Sequence, residues 1–274
     1  MQVISTISEL RERLADECEI AFVPTMGNLH EGHLQLVRQA RKLGSCVVAS
    51  IFVNPLQFGP AEDFGQYPRT LNEDCKKLEG LADVVFAPSV SEMYPVNQTV
   101  YIELPEIASE LCGAARPGHF RGMATVVLKL FNIVQPDVAL FGRKDYQQLF
   151  LVRRMVEQLN LPIAIVGCET VRAENGLALS SRNQYLTDAE RAMAPFLYQT
   201  LKSMKQRMLD GERDIEKLER EAIESLAGRG WQVDYVAIRN QSDLMNSDSE
   251  HLVILAAAKL GKTRLLDNIE FDLL

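Results

Sequence analysis

Two histidines, His30 and His33, stand three residues apart where a short apolar segment gives way to a helical pattern. Free backbone N–H groups and the helix dipole favour an anion at such a helix start. Imidazole N–H groups placed there can donate to phosphate oxygens and stabilise charge that develops in a transition state. Gly27 and Gly32 allow the backbone to approach a ligand closely. The spacing therefore predicts a phosphate-binding site at this helix start.

The same segment has other interpretations. Paired histidines can bind zinc, but the helical HExxH pattern needs a step of four residues, and no third ligand stands near His30 and His33. The two histidines can also serve only to cap a solvated helix. The GxGxxG pattern of dinucleotide-binding loops is absent from this loop.

Two further segments carry polar groups that a small ligand can use. Asn54 and Gln57 follow an apolar, β-rich run, and their amides can bind hydroxyl or carboxylate groups. Taken alone, a proline-terminated turn is the simpler interpretation of these two residues. Lys144 can hold phosphates, and Asp145 can orient a nucleotide hydroxyl or help to hold a hydrated magnesium ion. The alternative for this pair is an ordinary charged turn at a helix start.

Hydroxyl and guanidinium groups come together again at Ser180, Ser181 and Arg182. Two hydroxyls and a planar guanidinium can wrap a triphosphate, and a nearby loop containing Gly176 can close over the site. A helix cap or a linker is the alternative. Arg121, between two glycines, offers another anion contact or belongs to a flexible connection.

These groups need a scaffold, and the hydrophobic pattern predicts one. A strand over residues 20–23, a helix from residue 33 to 43 and a strand over residues 46–53 form a β-α-β unit. Further helices are predicted over 71–81, 123–133 and 146–159, and further strands over 84–86, 138–141 and 163–167. The pattern predicts an α/β fold with a Rossmann-like, doubly wound parallel sheet. Ligands of such sheets bind at the carboxyl ends of the strands, where the polar segments stand.

The character of the sequence changes near residue 170. A long helix is predicted over residues 189–209 with Thr187 near its cap, and strand-like patterns follow over 231–238 and 252–258. We therefore predict a Rossmann-like domain over residues 1–172 and a smaller α+β domain over residues 173–274.

Charge and cysteine usage exclude several classes of protein. Lys and Arg total 29 and Asp and Glu total 37 among 274 residues, a net charge of −8. Such a chain has no global attraction for nucleic acid or an anionic membrane, so a local cluster must hold any phosphate. Five cysteines without a CxxC pair support neither a disulfide framework nor a thiolate zinc site. The amino-terminal segment lacks the features of a secretory signal, and no apolar run approaches the ~20 residues of a membrane helix. We predict a soluble, cytoplasmic protein.

The motifs together resemble one family, the pantothenate synthetases (pantoate–β-alanine ligases), within the HxGH nucleotidyltransferase superfamily. The resemblance spans almost the whole chain in order. It is carried by PTMGNLHEGH (24–33), SIFVNPLQF (50–58), YPRT (67–70), GHFRGM (118–123), KLFNIVQPD (129–137), FGRKDYQQL (141–149), LSSRNQYL (179–186) and LGKTRLLDN (260–268).

The resemblance implies an ATP-dependent ligase. Pantoate would attack the α-phosphorus of ATP to give pantoyl adenylate and pyrophosphate, and the amine of β-alanine would then displace AMP to give pantothenate. It also implies that Mg²⁺ accompanies ATP, that the carboxyl-terminal domain acts as a lid and that the protein is a homodimer, with neither nucleic acid nor membrane as a partner. The alternatives are a nucleotidyltransferase that leaves the nucleotide on its product and a non-catalytic nucleotide-binding module.

The resemblance further implies roles for individual residues. His33 is the catalytic donor of the family, and His30 and Lys144 complete the predicted catalytic set. Gln57 and Gln148 would hold pantoate, and Gln57 would also border the β-alanine site. The predicted ATP-binding residues are Met26, Gly27, His30, His33, Gly142, Arg143, Lys144, Asp145, Val171, Leu179, Ser180, Ser181 and Arg182. The magnesium ligands do not follow from the sequence, and the local positive charge is assigned to His30, His33, Lys144 and Arg182.

Overall fold

The amino-terminal part of the chain is a parallel sheet with helices on both faces. The computed structural model describes residues 1–60, 62, 64–245 and 248–273. The strands are β1 (Gln2–Ile4), β2 (Ile20–Thr25), β3 (Cys46–Ile51), β4 (Val84–Phe86), β5 (Val138–Gly142), β6 (Ala164–Cys168), β7 (Gln232–Asn240), β8 (His251–Leu260) and β9 (Thr263–Asp272). The helices are α1 (Ile7–Leu14), α2 (Glu31–Ala40), α3 (Leu71–Leu78), α4 (Val90–Met93), α5 (Cys112–Ala115), α6 (His119–Val134), α7 (Tyr146–Gln158), α8 (Asp188–Met193), α9 (Phe196–Leu209) and α10 (Ile215–Ala227). Short 3₁₀ helices span Pro55–Gln57, Glu106–Ser109, Arg143–Asp145 and Ser181–Tyr185.

The order of strands in the parallel sheet is β1-β4-β3-β2-β5-β6. The chain runs outward from β2 through β3 to β4 on one side, and from β5 to β6 on the other. The direction of winding therefore reverses between β2 and β5, which pair with Ala21 opposite Val138. A doubly wound sheet binds its ligands at this reversal, beyond the carboxyl ends of the strands. The predicted Rossmann-like α/β fold is confirmed.

Helices cover both faces of the central strands, as their continuous apolar sequences predict. On one face α1, α6 and α7 form a core in which Phe22 meets Phe131 edge-on, with ring centroids 6.4 Å apart. On the other face Val37 and Ala40 of α2 and Leu78 of α3 pack against the sheet. The rigid centre of the sheet carries the loops that follow β2, β3 and β5.

The carboxyl-terminal part is a three-stranded antiparallel sheet, β7-β8-β9, covered on one face by α9 and α10. Its other face packs on the amino-terminal core through Val253 and Leu255. The buried residues of the core under α9 and α10 all lie at or after Leu177 in the sequence. The division at residues 172 and 173 stays a prediction.

Several predicted elements differ from the observed ones. The helix predicted over 189–209 is two helices, because Pro195 has no N–H group to continue the helical hydrogen bonds between α8 and α9. The predicted cap is present, since Thr187 and Glu190 exchange side-chain and backbone hydrogen bonds. The strands β1 and β9 were not predicted, because β1 has only three residues and polar residues interrupt β9. Among the helices described, none combines the length and apolar character that crossing a bilayer would require.

Candidate active site

The loop after β2 ends in a helix cap built from the two histidines. His30 is the N-cap of α2, and its Nδ1 accepts the backbone N–H of Gly32 at 3.1 Å. The Nδ1 of His33 accepts the backbone N–H of His30 at 3.3 Å. The capping role is therefore real, and it occupies one nitrogen of each ring. A neutral imidazole that accepts at Nδ1 carries its proton on Nε2, so each ring keeps an Nε2–H donor for a ligand.

Both imidazoles are neutral at physiological pH. Burial, and after it the nearby Lys144, lower the pKa of His30 to about 4. Burial, together with the neighbouring His30, lowers the pKa of His33 to about 3. The prediction that the histidines contribute positive charge is therefore wrong. The cations that line the cleft are Arg116, Lys144 and Arg182, and each uncharged imidazole keeps one N–H donor.

A buried carboxylate that the motifs did not reveal holds the histidine loop. Asp74 of α3 is fully buried, and it accepts the backbone N–H groups of Asn28 at 2.8 Å and Leu29 at 2.7 Å. Lys77, one turn further along α3, donates to the carbonyl of Leu29 at 2.6 Å. These bonds fix a loop in which Asn28 has a φ of 50° and Gly27 a φ of 80°. In the sequence, the buried role of Asp74 is indicated only by the position of this acid on the apolar face of α3.

The predicted site residues converge on one cleft with a volume of about 220 Å³ at the reversal of the sheet. Of the predicted residues, those lining it are Met26, His30, His33, Gln57, Gly142, Lys144, Asp145, Gln148, Val171, Leu179, Ser180, Ser181 and Arg182. Two predicted residues lie outside the lining. Gly27 is held in the turn by Thr25, and Arg143 points to Glu169 and Glu270, each at 2.8 Å. Residues more than a hundred positions apart thus face one space.

The segment around Ser181 is joined directly to the histidine loop. The hydroxyl of Ser181 donates to the carbonyl of Asn28 at 3.0 Å. Ser180 caps the 3₁₀ helix that follows it, with its hydroxyl accepting the N–H of Arg182 at 3.2 Å. The cap predicted as an alternative is therefore present beside the cleft.

An amide corner follows β3, where the sequence allowed either a turn or a ligand contact. Asn54 caps the 3₁₀ helix Pro55–Gln57, and its amide donates to Gln57 Oε1 at 3.2 Å. The hydroxyl of Tyr94 donates to Asn54 Oδ1 at 2.8 Å. The other end of the Gln57 amide donates to the sulfur of Met26 at 3.0 Å. A turn therefore positions Gln57 in the cleft wall, and Gln148 of α7 joins it there.

Arg116 and His119 line the cleft, although neither was among the predicted site residues. Arg116 pairs with Glu62 at 2.6 Å and donates to His119 Nε2 at 2.9 Å. A guanidinium only donates, so the His119 proton lies on Nδ1 and reaches the carbonyl of Gln57 at 2.8 Å. Burial lowers the pKa of His119 to about 4. The one sequence feature that could have linked Arg116 to His119 is their three-residue spacing.

Arg121, for which the sequence left an anion contact open, does not reach the cleft. Its guanidinium lies over the ring of Tyr101, with the guanidinium carbon 4.1 Å from the ring centroid, and Arg121 is not part of the cleft lining. The segment 118–123 begins α6 and is no flexible connection.

Within the described ranges, no group of three or more His, Cys, Asp or Glu side chains is placed to hold a metal ion. The acids in the cleft lining are Asp145 and Glu169.

Comparison with known proteins agrees with this geometry. Residues 2–270 match the family model described as pantoate–β-alanine ligase. The chain is 57% identical to a pantothenate synthetase of Methylobacillus flagellatus, over 99% of each chain, and 56% identical to one of Neisseria meningitidis serogroup B, over 100% of each.

Solved structures give the same result. A pantothenate synthetase of Thermus thermophilus matches with a TM-score of 0.93 and 45% identity, covering 98% of this chain and 99% of that one. A pantoate–β-alanine ligase of Francisella tularensis, in complex with beta-gamma ATP and β-alanine, matches with a TM-score of 0.84 and 35% identity, covering 98% and 97%. The sequence, the fold and the cleft agree, and the chain belongs to the pantoate–β-alanine ligase family.

Proposed function

We propose that the chain joins pantoate to β-alanine in two steps within this cleft. A carboxylate oxygen of pantoate attacks the α-phosphorus of ATP, which releases pyrophosphate and leaves pantoyl adenylate. The amine of β-alanine then attacks the activated carbonyl carbon, AMP leaves, and the nitrogen loses a proton to give pantothenate. The observation that carries this proposal is one cleft lined by phosphate donors and by a pair of carboxamides.

The phosphate side combines two kinds of donor. Lys144 and Arg182 supply charge, and Ser180 and Ser181 add hydroxyls. The Nε2–H groups of the two imidazoles are fixed by the helix cap. Donors fixed in advance stabilise the charge that spreads over the α-phosphate as the bond to pyrophosphate breaks. Met26, Gly142, Asp145, Val171 and Leu179 supply the remaining nucleotide contacts of the proposal.

The substrate side is the corner formed by Gln57 and Gln148. Carboxamides donate to and accept from hydroxyl and carboxylate groups, which pantoate carries. Met123, Val126 and Leu130 of α6 add an apolar wall that suits the methyl groups of pantoate. Because Gln57 is held by Asn54 and Met26, pantoate would be oriented for attack, which lowers the barrier by positioning. Gln57 would border β-alanine in the second step.

The residues present fit a magnesium ion that arrives with ATP. Mg²⁺ usually keeps several waters and binds through one or two carboxylates together with substrate phosphates. Asp145 is an exposed acid in the cleft lining at the start of α7, and no ion pair in the described structure occupies it. When bound, the ion would neutralise part of the phosphate charge.

The family resemblance also supports a cytoplasmic homodimer in which residues 173–274 act as a lid.

Isotope exchange tests the two-step reaction. Purified protein with Mg²⁺, ATP and pantoate should move label from pyrophosphate into ATP without β-alanine, because adenylate formation is reversible. Adding β-alanine should then release equal amounts of AMP and pantothenate, measured by mass spectrometry. Exchange that requires β-alanine contradicts the adenylate. A product that keeps the nucleotide indicates a nucleotidyltransferase, and ATP binding without turnover indicates a binding module.

A further inference from the structure

The last strand of the chain touches both walls of the cleft through two consecutive residues, Asp267 and Asn268. Neither belongs to the cleft lining, and both are buried. Successive side chains of a strand point to opposite faces of its sheet. Asp267 therefore faces the helical layer of the carboxyl-terminal domain, and Asn268 faces the parallel sheet.

Asn268 holds the turn that carries Lys144. Its side-chain amide donates to the carbonyl of Arg143 at 2.9 Å and to the carbonyl of Lys144 at 2.9 Å. Both donor hydrogens of the amide are therefore used on successive carbonyls of the 3₁₀ helix Arg143–Asp145. This helix has no side-chain cap of its own. The amide thus fixes the backbone from which the Lys144 side chain extends.

Asp267 holds the opposite wall. Its carboxylate receives a bidentate pair from Arg172, at 2.6 and 2.8 Å, and Arg172 also donates to the carbonyl of Gly176 at 3.1 Å. Val171 and Leu179, which flank this hairpin, are joined by a backbone hydrogen bond of 2.9 Å and line the cleft. The carboxylate of Asp267 also accepts the backbone N–H of Asn268 at 2.8 Å.

We propose that Asp267 and Asn268 are positioning residues for adenylate formation, which set the Lys144 turn and the 171–179 hairpin at a fixed separation around the nucleotide. The proposal rests on the proposed function, since it assigns Lys144 to the phosphates. Each acts through the side chain or backbone that it holds, Asn268 through the Lys144 turn and Asp267 through Arg172. Displacing a reacting or stabilising group by about 1 Å can cost about a hundredfold in rate.

Asn268→Asp tests this with a nearly isosteric change, since it replaces the amide donor by an oxygen that faces two carbonyl oxygens. We expect pantoate-dependent pyrophosphate exchange to slow by about tenfold or more. Glu270→Gln is the matched control, because Glu270 lies on the same face of β9 and touches the same region through the side chains of Arg143 and Tyr146. It leaves both Asn268 bonds intact and should change exchange by less than about twofold.

A double-mutant cycle with Lys144→Ala separates positioning from loss of structure. If Asn268 acts through Lys144, Asn268→Asp should slow exchange by less than about twofold in the Lys144→Ala background. The same cycle is measured in the ATP dissociation constant by calorimetry, which needs no turnover. Thermal melting shows that each variant is folded, and Asn268→Ala replaces Asn268→Asp if the acid prevents folding.

The outcomes are distinct. Equal losses in both backgrounds, or a Glu270→Gln variant as slow as Asn268→Asp, would overturn the positioning role. Absence of pantoate-dependent exchange in the unmodified protein overturns the proposed function instead. Normal ATP binding and exchange in Lys144→Ala would show that Lys144 does not bind the phosphates. The proposed action of Asn268 through Lys144 would then also be wrong.

Discussion

At the scale of the residue, His30 and His33 divide two tasks between the two nitrogens of each ring. Nδ1 closes the start of α2, and Nε2–H remains for a ligand. Gly32 permits this arrangement, because a Cβ there would lie 2.8 Å from the His30 ring. The sequence left capping and phosphate binding as alternatives. The structure shows capping through Nδ1, which leaves on each ring the Nε2–H donor that the proposed function assigns to phosphate.

The two tasks of His30 are separable by substitution. Asparagine is a preferred N-cap, so His30→Asn should keep the cap and the stability of α2 while it removes the Nε2–H donor. We expect adenylate formation to slow by about a hundredfold, as for the loss of one preorganised donor. His30→Ala should slow the reaction similarly and also lower the free energy of unfolding by about 1 kcal/mol. Equal exchange rates in His30→Asn and the unmodified protein would contradict the donor role.

The lowered pKa values of the two histidines give a pH prediction with a definite sign. The unfolded chain binds protons at these rings below pH 6.5, but the folded chain does so only near pH 4 and pH 3. The free energy of unfolding should therefore decrease as pH falls from 6.5 toward 4, because the unfolded state then binds more protons. Urea titrations should show a smaller decrease in His33→Asn. Adenylate formation should show no histidine ionisation between pH 6 and 8.

At the scale of the element, close approach of two backbones sets the amide corner. A Cβ on Gly122 of α6 would lie 2.0 Å from the carbonyl oxygen of Leu56. The amide of Asn54 also donates to the carbonyl of Gly122 at 3.2 Å. Helix α6 therefore rests directly on the 3₁₀ helix that carries Gln57.

Gly122→Ala should consequently disturb the pantoate site from a distance. Alanine favours a helix over glycine by about 1 kcal/mol, but the overlap with Leu56 forces α6 and Pro55–Gln57 apart. We expect the KM for pantoate to rise several-fold more than the KM for ATP, with a lower melting temperature. Gly65→Ala is the control, because within the described part of the chain no atom beyond its two chain neighbours lies within 4 Å of the added Cβ. A parallel rise in both KM values would argue for general loosening.

The elements were predictable to the extent that local pattern determines them. The strands β2 to β6 and the helices α2, α3, α6 and α7 follow from hydrophobic periodicity, whereas the short helices α4 and α5 were not predicted. Pro195 could have divided the helix predicted over 189–209. Asp74 and Arg116 were missed because their roles arise from contacts across 46 and 54 positions with Asn28 and Glu62. Such partners depend on how elements pack and leave little trace in a local motif.

At the scale of the whole molecule, strand β9 holds segments that line the cleft, through the bonds of Asp267 and Asn268, without lining the cleft itself. The reversal between β2 and β5 places the histidine loop beside Lys144, and Val171 and Leu179 of the hairpin line the same cleft. A chain with a net charge of −8 thus gathers a few cations and neutral donors at one place. The distant contacts that join these parts include the buried pair of Arg172 and Asp267.

Asp267→Asn should therefore weaken the whole molecule. The carboxylate is only 4% exposed, and its loss leaves the Arg172 guanidinium largely buried beside the ring of Tyr198 without a counter-charge. Removing one partner of such a pair costs about 3–5 kcal/mol of unfolding free energy. Glu221→Gln, at a half-buried pair with Arg207 in which Arg207 keeps Glu212, should cost at most about 1 kcal/mol. Urea unfolding measures both, and equal, small losses would show that the Arg172 pair does not join the two parts of the chain.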